Sequence, residues 1–149
     1  MTKFKSEASL RRTFVQALRK KGIMAQPIES AGTARGIGDI YFSGIVSYIA
    51  DVKDLIVLKD VEFKGRRFGW IELKNMPSFH LEESYTIPYR GGQLSWLSQM
   101  AKHGTPTYTL IALADGIKII DHAKEDEIIQ VRSIDEAINY FITDHYHYR

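Results

Sequence analysis

The stretch FGWIELKNMPS, residues 68–78, constrains the fold and chemistry of this chain more than any other. Its aromatic, β-branched and apolar residues predict a buried strand, and Asn75 and Pro77 predict its end. Glu72 and Lys74 nevertheless lie inside it, and they point the same way because alternate residues of a strand share a face. Charged side chains are rarely buried without a partner. We therefore expect a sheet face on which an acid and a base lie side by side.

Length and composition indicate one folded domain over residues 1–149. Hydrophobic residues make up 44% of the chain and its net charge is +2, which excludes a disordered tail. Cysteine is absent, which excludes disulfides, thiolate catalysis and cysteine-based zinc sites. No apolar run is long enough to cross a bilayer, and the N-terminus lacks the apolar core of a signal peptide. We therefore expect no membrane partner and a cytoplasmic location.

Hydrophobic periodicity predicts an α/β domain with a mixed central sheet flanked by helices. Three helices are predicted, over residues 6–21, 91–104 and 133–145. Ser133 is the predicted N-cap of the last helix, and Glu136 completes a capping box. Strands are predicted over residues 38–42, in two pieces between 48 and 64, and in FGWIELK, TYTLIAL and GIKIID.

The first predicted helix is strongly basic. Residues 3–21 contain seven Lys or Arg residues and one acid, Glu7. Glu7 belongs to the apolar stripe of the helix, whereas Lys5, Arg12 and Arg19 recur on another face. Two interpretations stay open: a solvated basic face beside a helix-start glutamate, or a phosphate-contacting face with an acid aimed inward.

Two further segments carry polar groups that suit catalysis. Asp39 follows the closely spaced glycines of RGIGDI, and Gln93 continues the apolar stripe of its helix, so its amide should face inward and need partners. Two carboxylates hold a hard cation such as Mg²⁺, which keeps several waters and takes phosphate oxygens as ligands. A lysine beside them can orient water or neutralise developing charge. Each feature alone is common; together they favour a phosphodiesterase site.

In this order, GIGD, GWIELK, the loop with TIPYR, and QLSWLSQMAKHGTPTYTLIAL resemble the PD-(D/E)XK nucleases. The likeness is greatest to the VRR-NUC branch, found as small stand-alone proteins in bacteriophages and as a domain of repair nucleases. It spans residues 7–113 and implies a restriction-endonuclease-like core.

The resemblance also implies a role for individual residues. Asp39 and Glu72 would be metal ligands for Mg²⁺ or Mn²⁺, with help from the carbonyl of Leu73. Lys74 would be the catalytic lysine and Gln93 the motif glutamine. Glu7 would match the acid that many members carry on the first helix.

The chain departs from the family pattern in two ways. Gly38 replaces the usual proline before the aspartate, and Glu72 follows Asp39 by 33 residues, a longer gap than expected for compact members. The gap holds a second D-x-K, Asp51-Val-Lys53, only 12 residues beyond Asp39. We favour Glu72 because a proline and a helix start follow it, as in the family. The insertion, about residues 43–67, then becomes an extra β-hairpin for DNA contact or dimerisation.

The expected function is metal-dependent cleavage of branched DNA, as in Holliday-junction resolvases, by a homodimer in a bacterial cell or a phage-infected host. The residues expected to contact DNA are Arg12, Arg19, Arg35, Arg66, Arg67 and Arg90. The alternatives are a flap nuclease or exonuclease of the same fold, a catalytically weak DNA-binding module, and an unrelated α/β protein with an accidental surface E-x-K pair.

Overall fold

The structure is a computed structural model that describes residues 3–28, 39–53 and 58–142, with the backbone alone for residues 45–53 and 58–66. Six strands form one mixed, open sheet against which helices pack, so the predicted α/β class is confirmed. The elements are α1 (Glu7–Lys20), β1 (Met24–Pro27), β2 (Ile40–Lys53), β3 (Leu58–Asn75), α2 (Gln93–Lys102), β4 (Thr107–Ala112), β5 (Ile117–Asp121), a 3₁₀ turn (His122–Lys124), β6 (Glu127–Val131) and α3 (Ile134–Ile142).

The strands lie in the sheet in the order in which they occur along the chain. Neighbouring strands are antiparallel except β3 and β4, which are parallel and are joined by the crossover that contains α2. Parallel neighbours need such a crossover, because a tight turn can only reverse the chain. Strand β6 was not predicted, since Glu127 and Gln130 interrupt its apolar pattern.

The predicted insertion is the outer part of one long hairpin. Strands β2 and β3 stay paired from Ile40 opposite Ile71 to Lys53 opposite Leu58. The prediction of separate short strands here was wrong, because the ladder runs without interruption through Gly44 and Gly65. Each lies within the ladder, where hydrogen bonding to the facing strand outweighs the weak strand preference of glycine.

The two faces of the sheet differ in character. One face packs against α1 and α3 in the main apolar core, where the rings of Phe14 and Phe141 meet edge to face at 5.7 Å. The other face packs against the segment that follows β3 and against α2, with a smaller apolar cluster around Ile111 and Leu113. Among the described residues, six buried polar side chains lie on this second side of the sheet: Glu72, Lys74, Gln93, Thr107, Thr109 and His122.

The helix ends follow local chemistry. Ser6 caps α1 by accepting a hydrogen bond from the backbone of Ser9 at 3.1 Å. At α3, Ser133 accepts from the backbone N–H of Glu136 as predicted, but the Glu136 carboxylate accepts from Arg132 rather than from Ser133. The last three residues of the predicted helix lie outside the described part of the chain. None of the helices described is long and apolar enough to cross a bilayer.

Candidate active site

The register of β2 and β3 brings Asp39 to Glu72. Ile40 pairs with Ile71, so Asp39, which precedes Ile40, lies opposite Glu72, which follows Ile71. The Asp39 carboxylate is fixed at this end of β2 because its Oδ2 accepts a hydrogen bond from the backbone N–H of Leu73 at 2.8 Å. Arg11 of α1 approaches the other oxygen at 3.9 Å. The two carboxylates therefore lie on neighbouring strands.

Glu72, Lys74 and Gln93 form a closed triangle of polar groups. Lys74 Nζ lies 3.2 Å from Glu72 Oε1 and donates to Gln93 Oε1 at 3.1 Å. Gln93 Nε2 in turn donates to Glu72 Oε1 at 2.9 Å. The three residues are 2–4% exposed. The acid and the base of the core strand are thus partnered on one face, as the sequence predicts, and Gln93 does point inward.

The electrostatics of the pair of acids favour a bound cation. Burial and the nearby Asp39 carboxylate together raise the pKa of Glu72 to about 7, because they outweigh the opposing effect of Lys74. Glu72 Oε2 is buried and has no hydrogen-bond partner among the described residues. Two neighbouring carboxylates with an unsatisfied oxygen are suitable hard ligands for Mg²⁺ or Mn²⁺. The residues present therefore fit the expected metal.

The described residues do not form a larger acidic cluster. No group of three or more His, Asp or Glu side chains placed to hold a metal occurs among them. Glu7 is half-buried in the first turn of α1, and among the described residues no hydrogen bond or ion pair joins it to Asp39 or Glu72. Arg11, one turn further along the same helix, lies beside Asp39, and the expected role of Glu7 at the metal stays a prediction.

The alternative pair lies far along the hairpin. Asp51 faces Asp60, and Lys53 faces Leu58 at the outer end of the paired strands. Twelve residues of extended strand separate Asp51 from Asp39, roughly 40 Å at the rise of a β-strand. The acid and base that lie beside Asp39 are therefore Glu72 and Lys74.

The arginines expected to contact DNA differ in their surroundings. Arg12, Arg19 and Arg90 are exposed. Arg67 Nε donates to the carbonyl of Phe141 at 3.2 Å, so this side chain holds the end of α3. Arg35 lies outside the described residues, and Arg66 is described by its backbone alone.

A chain of polar side chains leads away from Lys74 and was missed by the sequence analysis. The ring of Tyr89 lies 5.7 Å from Lys74 Nζ, and its hydroxyl donates to Thr109 Oγ1 at 2.8 Å. Thr109 Oγ1 lies 2.8 Å from His122 Nε2, and His122 Nδ1 lies 2.6 Å from Asp126. Burial raises the pKa of the Tyr89 hydroxyl. The available signal was the pair of threonines at the start of TYTLIAL, Thr107 and Thr109, which lie on one face of β4.

No family model matches the chain, and neither a curated protein nor a solved structure is significantly similar to it. The assignment of this site therefore depends on its residues and their geometry.

Proposed function

We propose that this chain is a metal-dependent deoxyribonuclease of the PD-(D/E)XK type, with a restriction-endonuclease-like core. One observation carries the proposal: Glu72 is buried in a hydrogen-bonded triangle with Lys74 and Gln93, faces Asp39, and keeps one oxygen without a partner among the described residues. An accidental E-x-K pair would lie on the surface, whereas these two side chains are each 3% exposed.

The proposed catalytic residues have two roles, which are to bind a metal ion and to stabilise negative charge. Asp39, Glu72 and the Leu73 carbonyl would hold Mg²⁺ or Mn²⁺, which when bound neutralises phosphate oxygens and makes a bound water more acidic. The Lys74 ammonium is held by Glu72 and Gln93, so it can stabilise negative charge as the phosphodiester bond breaks. Gln93 accepts from the backbone of Arg90 at 2.7 Å, which fixes its amide in this orientation.

The proposed substrate is branched DNA, with cleavage in the manner of a Holliday-junction resolvase. One chain supplies one such site, and cutting both strands of a junction symmetrically needs two, which a two-fold homodimer provides. The proposed setting is the cytoplasm of a bacterial cell or a phage-infected host. A flap nuclease or exonuclease would use the same site, and a DNA-binding module would not need the paired carboxylates.

A substrate panel tests the activity directly. The protein is incubated with Mg²⁺ or Mn²⁺ and with duplex, single-stranded, flap and four-way DNA. We expect cleavage that is lost on adding EDTA, and we expect Glu72→Gln or Asp39→Asn to abolish it while DNA binding persists. Asp51→Asn is the matched control and should retain full activity. Cleavage by both Glu72→Gln and Asp39→Asn would refute the proposed site.

A further inference from the structure

Three aromatic rings lie in contact beside the candidate active site. Tyr41 of β2 and Trp70 of β3 have ring centroids 5.2 Å apart, and Trp70 and Trp96 of α2 have centroids 5.4 Å apart. We call Tyr41, Trp70 and Trp96 the aromatic row. All three side chains are half-buried, whereas Leu97, the neighbour of Trp96 on α2, is 1% exposed. The aromatic row therefore connects β2, β3 and α2 and keeps part of its surface in contact with solvent.

The aromatic row runs parallel to the line of catalytic groups. Tyr41 pairs directly with Trp70 across the sheet, and each lies two residues from a carboxylate, Asp39 or Glu72. Two residues of strand correspond to about 7 Å, and such residues share a face. Trp96 follows Gln93 by three residues, so both lie on the side of α2 that faces the sheet. A nucleotide with its phosphate at the carboxylates could therefore place its base on the aromatic row.

The open end of the aromatic row carries polar and basic groups. Gln26 of β1 is exposed and pairs with Tyr41 across the sheet. Arg19 of α1 donates to the carbonyl of Ala25 at 2.9 Å, which holds its guanidinium beside the same strand. An amide can bond to base edges and a guanidinium to phosphate, so this end has the chemistry of a nucleic-acid contact.

We propose that the aromatic row is a stacking site for an unpaired nucleobase next to the phosphate that is cut. This inference rests on the proposed function and narrows its substrate class to branched nucleic acid in which the nucleotide next to the cut phosphate is unpaired. Paired bases are stacked within a duplex and hide their faces, whereas an unpaired base can stack on an aromatic side chain. Stacking of this kind is tolerant of sequence, because every base has a π-face.

Tryptophan fluorescence tests this inference without metal and without cleavage. The chain contains two tryptophans, and both belong to the aromatic row, so the intrinsic emission reports on this site alone. The wild-type protein is titrated in EDTA with a labelled oligo(dT) and with a blunt duplex of equal length. We expect saturable quenching by the single strand at concentrations where anisotropy shows binding, and weaker quenching by the duplex. Binding of the single strand with unchanged tryptophan emission would overturn the inference, as would no binding at all.

Substitution of Tyr41 distinguishes base stacking from a role in packing the protein, because this ring lies at the end of the aromatic row. We expect Tyr41→Leu to weaken oligo(dT) binding by about tenfold, the effect of losing one base–aromatic stack, and Tyr41→Phe to restore it. Tyr85→Leu removes a half-buried ring elsewhere on the same sheet face and should bind as the wild type does. Equal affinity of Tyr41→Leu and wild type would overturn the inference.

Quenching without cleavage of any substrate would support the stacking site while refuting the proposed nuclease activity.

Discussion

Glu72 is the residue whose surroundings depart most from those of an ordinary acid. It is 2% exposed, and its Oε1 receives Lys74 and Gln93 while its Oε2 has no partner among the described residues. Burial of a carboxylate is costly unless hydrogen bonds or a cation compensate for the lost water. The hydrogen bonds of the triangle compensate Oε1 for its lost water, and Oε2 remains for a cation or a proton.

The stability of the metal-free protein should depend on pH through Glu72. Its pKa is raised from 4.5 to about 7 in the folded state, so the folded chain holds a proton that the unfolded chain releases. The contribution of Glu72 to the free energy of unfolding is therefore fully present below pH 4.5 and is lost as the pH rises through about 7. The loss is at most about 3 kcal/mol, from the free energy equivalent of the pKa shift.

Thermal unfolding in EDTA between pH 5 and pH 8 measures this effect. We expect the wild type to lose more stability than Glu72→Gln over this range, and we expect Mg²⁺ to restore the wild type at pH 8. Parallel pH profiles of the two proteins would contradict the predicted titration.

Tyr89 should position Lys74 through its ring. Because the ring face lies near the ammonium, Tyr89→Leu removes a cation–π contact and should slow single-turnover cleavage by about tenfold. Tyr89→Phe keeps the ring and loses only the bond to Thr109, so its rate should stay near that of the wild type. Rates are compared at saturating protein, where binding does not contribute. Equal rates for Tyr89→Leu and wild type would show that the contact has no such role.

At the scale of elements, the start of α2 determines how Gln93 enters the site. Gly92 is the N-cap with φ of 85°, a left-handed conformation that side chains disfavour, and it makes no side-chain cap bond. In the preceding turn the backbone N–H of Arg90 donates to the side-chain oxygen Oε1 of Gln93 at 2.7 Å. The glycine therefore lets the chain turn sharply from the loop into a helix whose first residue is buried.

Alanine substitutions at the two adjacent glycines test this turn. A Cβ at either Gly91 or Gly92 would meet no atom within 4 Å, and Gly92 alone of the two has positive φ. We expect Gly92→Ala to cost about 1 kcal/mol of unfolding free energy, since the strain comes from the backbone alone. Gly91→Ala, the matched control, should leave stability unchanged or slightly raised. Urea denaturation measures both, and equal midpoints would contradict the argument.

At the scale of the whole molecule, the sheet carries a hairpin that extends beyond the site. The inner part of β2 and β3 holds Asp39 and Glu72, while the ladder continues outward to Lys53 and Leu58. Paired strands of this length leave two exposed edges, which invite pairing with another chain unless they are protected. The proposed homodimer would use this outer part, which is distinct from the residues that form the site.

Shortening the hairpin tests whether dimer formation and metal binding depend on different parts of the molecule. Residues 47–64 are replaced by Asn-Gly, a two-residue turn that joins the paired residues Val46 and Gly65. We expect the shortened protein to be monomeric by light scattering, to keep its stabilisation by Mg²⁺, and to lose symmetric cutting of four-way DNA. A shortened protein that remains dimeric would place the interface elsewhere, and a wild-type monomer would exclude the homodimer.

The sequence alone determined the three described helices, the buried strands β4 and β5, and the inward face of Gln93. These features depend on periodicity and end signals within a few residues, as for the Ser6 cap of α1. They can therefore be predicted without knowledge of the fold. The shared face of Glu72 and Lys74 follows for the same reason, since two residues on one strand need no other element to define their direction.

Tertiary structure decided which groups meet. Asp39 is linked with Glu72 rather than with the nearer Asp51 because the register of two long strands sets the pairing, and local patterns do not encode register across 33 residues. The contact of Tyr89 with Lys74 and the row of Tyr41, Trp70 and Trp96 likewise join separate elements. Such contacts depend on how strands and helices pack, so they become visible only when the chain is folded.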